Sequence, residues 1–436
     1  MRRTGSRNVQ VSFTAGRLTH FGGVYLLHHF LQRLQLRTFI SRRLHLPERN
    51  NHFSLTERLF AVLYPMILGL NTIELSALLG TNGVFQYLTG LPRFPDPTTL
   101  RRFLIRQSPV LLPGLHMVHD QLRSRFLELP DTRTSIWLDF DSTARTLYGH
   151  QEGVVKGYNP GHPGKKSYHP LVCSEAHLHD CLGGELRYGN AHTADGVVPM
   201  LQRALRLLPT SIRTIRVRAD AGFYGGDFIK ELQDNSIGFA MVAHMTKLLQ
   251  SRVLGLRYAK VNEAESTAEF KYHPQGWDRP QRFVVLREKL TDERKEQLKL
   301  FTMDAYAYHA VVTNLPLSPW NVFSFYQDRT GLERIIRTLK EDYPFASAPT
   351  NSFAANAMYA ELSLLAYNLV IWFKRLCLPE DWQSYTIGTL RQRLLLIPGI
   401  FTRTNRYPHL KLPRNSPYQD VFNDALKRVK RLTPLA

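Results

Sequence analysis

At Thr134 the spacing of apolar residues changes from helical to alternating, and this change constrains the fold more than any other feature of the chain. Residues 135–141 (SIWLDFD) alternate as a half-buried strand does, and short strands are expected at 167–176 and 185–188 around Gly-rich turns. An amphipathic helix is expected over 194–208 and a strand over 214–219 (TIRVRA). Hairpin-paired strands, then a helix, then another strand specify a mixed α/β domain. Residues 238–315 hold further strands, including 283–287 (FVVLR) and 309–313 (HAVVT). Helix is expected to return over 319–340 and again over 354–376.

The chain before this point reads as helical. Residues 24–36 carry apolar side chains at helical spacing, and Ser54 with Glu57 form a capping-box pattern ahead of an apolar stretch to residue 79. Residues 95–106 (PDPTTLRRFLIR) read as a turn and a short basic helix capped at Thr98 or Thr99. Short basic helices separated by turns suit a helix-turn-helix-like DNA reader, and equally a helical scaffold with basic solvated faces. The first fifty residues hold nine Lys or Arg against one acid, Glu48. Over the whole chain 56 Lys and Arg face 36 Asp and Glu, a formal charge of +20 that suits a polyanionic partner, nucleic acid above all. Cys173, Cys181 and Cys377 show no CxxC spacing, so neither a disulfide framework nor a zinc finger is supported. The apolar runs at 59–70 and 362–373 cover about half of the ~20 residues that span a bilayer, so no membrane role and a cytoplasmic location are expected.

Three groups of residues carry the chemistry. Alternation puts Trp137, Asp139 and Asp141 on one face of their strand, where two acids cost desolvation unless a cation compensates; a strand end opening to solvent is the plain alternative. The strand at 214–219 also ends in an acid, Asp220, followed by Ala221-Gly222-Phe223-Tyr224-Gly225-Gly226, which reads as a flexible turn that lets the backbone come close to a ligand. Ligands of open α/β sheets sit beyond the carboxyl ends of strands, so both carboxylates can share one edge. Finally Tyr326, Arg329, Glu333 and Lys340, spaced Y-x2-R-x3-E-x6-K, fall within roughly a 60° arc of one helix. An acid flanked by cations can hold a metal through the carboxylate and phosphates through the cations, although a surface salt-bridge face has similar spacing.

Asp141-Ser142-Thr143, Arg218-Ala219-Asp220-Ala221-Gly222-Phe223 and the Tyr326–Lys340 signature together resemble the DDE transposases of bacterial insertion sequences, the group marked by a Y-R-E-K motif. The stretches at 157–170 (GYNPGHPGKKSYHP) and 182–196 (LGGELRYGNAHTADG) resemble the IS-thirteen-eighty branch. The resemblance implies an RNase H-like mixed-sheet catalytic domain interrupted by a β-rich insertion, with a helical N-terminal domain. The divisions expected are a basic DNA-binding region at 1–130, catalytic parts at 131–235 and 319–376, the insertion at 236–318, and a basic C-terminal region at 377–436.

It further implies Asp141, Asp220 and Glu333 as catalytic metal ligands for Mg²⁺, with Mn²⁺ as a substitute. Carboxylates suit these hard cations, and two ions about 4 Å apart are needed for strand cleavage and transfer. Tyr326, Arg329 and Lys340 would hold the DNA backbone, joined by Lys165 and Lys166 in a Gly/Pro-rich turn. Tyr308 is the nearest counterpart of a base-stacking aromatic, with core packing as its other reading. Asp139 is placed no closer than beside the ligands. The partners implied are double-stranded DNA, as element ends and target, and a second copy of the chain on DNA. A catalytically silent DNA-binding relative is the alternative.

Overall fold

The structure is a computed structural model that describes residues 11–46, 52–128, 133–290, 301–303, 306–404 and 407–434. The expected boundary at 130/131 lies outside the described residues. The chain forms two compact units, Leu104–Ile371 and Met1–Phe103 with Trp372–Ala436.

The larger unit is built on a mixed sheet of ten strands, counted over the described residues. In chain order these are β1 (Ser135–Ser142), β2 (Leu171–Glu175), β3 (Cys181–Glu185), β4 (Thr214–Ala219), β5 (Gly238–Val242), β6 (Ala259–Lys260), β7 (Glu265–Tyr272), β8 (Gln281–Lys289), β9 (Phe301–Met303) and β10 (Tyr306–Thr313). Their spatial order is β6-β7-β8-β10-β5-β4-β1-β2-β3, with β9 on β10. The central strands β1, β4 and β5 run parallel, and antiparallel strands extend the sheet on both sides. The strands expected in a separate insertion at 236–318 therefore continue this same sheet. The segment 167–176 divides into Lys166–Tyr168 and β2, and the third hairpin strand lies at Cys181–Glu185, ahead of the expected 185–188.

Alternation along β1 decides the two faces. Ile136, Leu138 and Phe140 join one core with Val197, Leu201 and Ala204 of a helix (Val197–Leu207) and Phe228, Ile229 and Leu232 of another (Gly226–Asp234). On the other face Trp137 packs against Val322, Phe323 and Phe325 of α1 (Pro319–Gln327). Next come α2 (Thr330–Glu341) and α3 (Phe353–Cys377). At the outer strand β3, Gly184 lies so close under α3 that a Cβ there would collide with Leu364 Cδ1. Asn368 of α3 accepts from the Cys181 backbone N–H at 2.9 Å and donates to its carbonyl at 2.9 Å.

The same helix carries a buried polar cluster. Glu361 Oε1 lies 2.6 Å from His119 Nδ1, and Asn368 Nδ2 lies 2.9 Å from His119 Nε2. Burial, followed by Arg123, lowers His119 to about 4, so the neutral ring donates from Nδ1 and accepts at Nε2. Burial opposes the ionised form of Glu361, yet Arg123 and His119 outweigh it and hold the carboxyl at about 2.

The smaller unit is mainly helical. Ser54 and Glu57 close the expected capping box on Leu55–Leu68, and Gly69 at φ 82° ends that helix. Buried Arg391 caps the last-turn carbonyls there, donating to Ile67 at 2.8 Å and Met66 at 2.9 Å. The segment 95–106 is not a short helix. It opens the 32-residue helix Pro97–Glu128, which belongs to the larger unit from Leu104 onward and whose first turn is capped by Asp96, accepting from Thr99 N at 2.9 Å, rather than by Thr98 or Thr99. Near the C-terminus Gln419–Arg431 buries Phe422, Ala425 and Val429 and exposes Lys427, Lys430 and Arg431. No single described helix is long and apolar enough to cross a membrane.

Candidate active site

Strand register brings the two aspartates together. β1 and β4 pair in parallel with Phe140 opposite Ala219, so Asp141 and Asp220 stand one step further along neighbouring strands. Adjacent strands are about 4.8 Å apart. Asp141 Oδ1 accepts from the Ser142 N–H at 2.7 Å. Asp220 caps a tight turn at Ala221–Phe223 by accepting from Gly222 N at 2.9 Å. The turn is therefore braced rather than flexible, and a Cβ at Gly222 would lie 2.5 Å from Thr193 Cγ2 and 3.1 Å from Asp220 Oδ1.

The helix expected over 319–340 is broken, so Tyr326 ends up on α1 while Glu333 and Lys340 lie on α2, and Arg329 is the residue that caps α2. In an unbroken helix the Phe325 carbonyl would receive the Arg329 N–H. Instead it accepts from Arg218 Nη1 at 2.9 Å, and Arg329 N turns to the Tyr326 carbonyl at 3.2 Å. The four signature residues consequently do not share one continuous helical stripe.

The break turns Arg329 inward. Its side chain is 12% exposed, donates to the Phe140 carbonyl at 2.7 Å, and lies 3.4 Å from Asp141 Oδ2 and 3.5 Å from the Tyr326 hydroxyl. Burial opposes the charge of Arg329, but Asp141, with Tyr326 and Asp220, holds its pKa above the usual value. Lys340 Nζ donates to Thr143 Oγ1 at 3.1 Å and to the Ala144 carbonyl at 3.0 Å, pinning the segment that follows Asp141. Both cations expected on phosphates are thus engaged with the protein. Lys165 and Lys166, by contrast, are exposed on the turn leading into Lys166–Tyr168. Tyr308 is buried, its ring edge-on to Tyr258 at 6.1 Å, and so occupies the core position that was its other reading.

Glu333 is exposed in the first turn of α2, where the helix dipole favours an acid. Its charge reaches Asp141. Burial pushes Asp141 up to about 6, Arg329 pulls it down, and Asp220 and Glu333 raise it further. Among the described residues no three His, Cys, Asp or Glu side chains are gathered closely enough to hold a metal ion. The donor chemistry nonetheless fits a hard divalent cation, because mutually repelling carboxylates are what such an ion neutralises.

Asp139 has a different task from its neighbour. It is buried and receives two bonds from Arg218, Nε to Oδ1 at 2.7 Å and Nη2 to Oδ2 at 2.9 Å. Sequence reasoning missed Arg218. The available signal was the register itself: Asp139 lies opposite Arg218, just as Asp141 approaches Asp220. His169, which the sequence groups with Lys165 and Lys166 as a possible DNA contact, is instead buried, 3.0 Å from Ser142 Oγ through Nε2 and held through Nδ1 on the Ala191 carbonyl at 2.8 Å.

A family model described as transposase DDE domain group 1 matches residues 1–434. The chain belongs to that family. The enzyme is therefore a DDE-type transposase, acting in DNA cleavage and transfer. No curated protein matches it. A solved cryo-EM structure, a piggyBac transposase synaptic complex with hairpin DNA, is similar at TM-score 0.46 and 11% identity, over 87% of the transposase and 80% of that chain.

Proposed function

We propose that the transposase binds the ends of a mobile element and cuts and rejoins DNA with Asp141, Asp220 and Glu333 as the ligands of Mg²⁺, or Mn²⁺ in its place. The observation that carries this reading is the register that sets Asp141 beside Asp220, with the charge of Glu333 felt at Asp141. Bound divalent ions supply the charge that activates water or a 3′-hydroxyl and steadies the leaving oxygen. The chain's own residues prepare that site. Arg329 holds Asp141 and the Phe140 carbonyl, and Lys340 fixes the Thr143–Ala144 backbone, so both act as positioning residues. Exposed Lys165 and Lys166 take phosphate contacts, and the basic helices of the smaller unit supply more of them.

The parallel core β1-β4-β5 with antiparallel flanks supports an RNase H-like reading of the larger unit. The Y-R-E-K residues and the 157–170 and 182–196 stretches favour the IS-thirteen-eighty group, and joining two ends calls for a second copy on DNA. The decisive experiment replaces Glu333 with Gln. Cleavage of a duplex carrying the sequences that flank the reading frame, with Mg²⁺, is expected to fall by orders of magnitude while its gel shift survives. Full cleavage by Glu333→Gln would sink the assignment; joint loss of binding and cleavage would make Glu333 structural.

A further inference from the structure

In the smaller unit two strands, Gly399–Thr404 and Tyr407–Lys411, pair antiparallel. Leu18–Thr19 joins the first of them at Ile400 and Gly399, and the Arg17 carbonyl accepts from Phe401 N at 2.9 Å. Beyond Phe401, among the described residues, the hairpin is a ribbon two strands wide. We propose that this ribbon enters the major groove of the element-end duplex and reads base edges there. The inference rests on the end-binding reading above and names the part of the chain that recognises sequence.

Alternation sorts the side chains of the hairpin. Phe401 is buried, its ring 4.7 Å from that of Tyr87, so one face holds the foot of the ribbon against the helix Gly83–Thr89. The other face turns Ile400, Tyr407, His409 and Lys411 to water, with Leu18 abreast of Ile400. Towards the tip both faces meet solvent: Arg403 and Pro408 are exposed on one, and Tyr407 is 77% exposed on the other. An element that slides into a groove needs that shape.

Charge, width and composition name duplex DNA as the occupant. Residues 399–419 hold four Lys or Arg and no acid. Lys411 and Arg414 line one cleft of about 830 Å³ with His409, which sets positive charge at the foot of the ribbon where groove walls present phosphates. Two strands ~4.8 Å apart with their side chains fit the ~12 Å major groove and are too broad for the ~6 Å minor groove. Leu18, Ile400 and Lys411 lie side by side across three strands, the first two about half exposed. Phosphates call for cations alone, whereas base edges offer thymine methyls to apolar groups and acceptors to donors, the mixture this face carries. The edge strand also holds Pro408, which has no N–H to give, and Lys411, both of which deter a strand of a second copy from adding there.

The test compares gel shifts, in Ca²⁺ to withhold cleavage, of a duplex carrying the flanking element-end sequence and a scrambled duplex of equal length. Methylation by dimethyl sulfate, which reports on guanine N7 in the major groove, is read on the same complexes. The wild-type chain is expected to prefer the element end and to protect particular guanines. His409→Ala/Lys411→Ala is expected to weaken element-end binding about tenfold or more, to change scrambled-duplex binding less than about threefold, and to lose that protection. Lys411→Arg keeps the charge and the donors and is expected to keep the preference. Both side chains being exposed, the circular dichroism melt should stay unchanged. Equal losses on the two duplexes would reduce the ribbon to a backbone contact and overturn the proposal, as would a shift in sedimentation of the DNA-free variant with the preference intact. Preference and protection both retained by the double variant would strike the ribbon alone. A wild-type chain without preference for the element end would strike the end-binding reading itself, and the ribbon with it.

Discussion

Asp139 and Asp141 are two residues apart, point to the same side of one strand, and do different work. Asp139 is locked to Arg218 in a buried two-bond pair, so Asp139→Ala strands a charge inside the sheet. The expected loss is about 3–5 kcal/mol, read from urea unfolding, whereas Asp139→Leu with Arg218→Met should recover most of it. Asp141→Asn should hold or raise the urea midpoint at pH 7, because burial disfavours the charge it removes, and abolish cleavage. Arg329→Ala is expected to lower cleavage without changing the slope of log binding against log salt, because its guanidinium is already committed to Phe140 and Asp141. Lys165→Ala with Lys166→Ala should flatten that slope by about two, near one for each phosphate no longer neutralised. That Asp141 and Asp220 share one edge could be read from sequence because each ends or follows a strand with clear alternation. The partners of Arg218 and Arg329 could not, since they depend on which strands lie side by side and on a broken helix.

Elements were legible where their pattern is local. The expected strand at 214–219 matches β4, and the expected helix at 354–376 differs from α3 by one residue at each end. Errors arose where a distant group intervened. The helix over 319–340 is interrupted because Arg218, on a strand about a hundred residues earlier in chain order, takes the carbonyl that helix continuity needs. The turn after Asp220 looked permissive from its glycines, but Thr193 presses on it from outside. Gly222→Ala must therefore displace Thr193 or the Asp220 carboxylate. Cleavage is expected to fall at least about tenfold, the scale of misplacement by a fraction of an ångström, with the protein still folded by circular dichroism.

At the scale of the whole molecule, acid should weaken the fold through the His119–Glu361 pair. The neutral form of His119 is favoured in the folded chain, with a pKa near 4 against an ordinary 6.5, so stability declines as pH falls from 6.5 towards 4. Glu361, near 2 against an ordinary 4.5, extends the decline from 4.5 towards 2. Asp141, raised to about 6, acts with the opposite sign between 6 and 3.8. Urea midpoints at pH 7, 5.5 and 4.5 should drop, and the drop between 7 and 4.5 should be smaller in His119→Gln, whose side chain does not titrate.

The amide of Asn368 has a wider consequence. By taking both backbone groups of Cys181, it serves the outer strand as a neighbour would, and α3 lies close over Gly184. At Cys181 that border therefore leaves neither backbone group for a stray strand from another molecule. The opposite border ends in Ala259–Lys260, where an exposed lysine is the guard instead. Growth of the sheet into fibres is thus blocked by an amide clasp on one side and by charge repulsion on the other. Asn368→Leu would unfasten the first, and turbidity on gentle warming would reveal it.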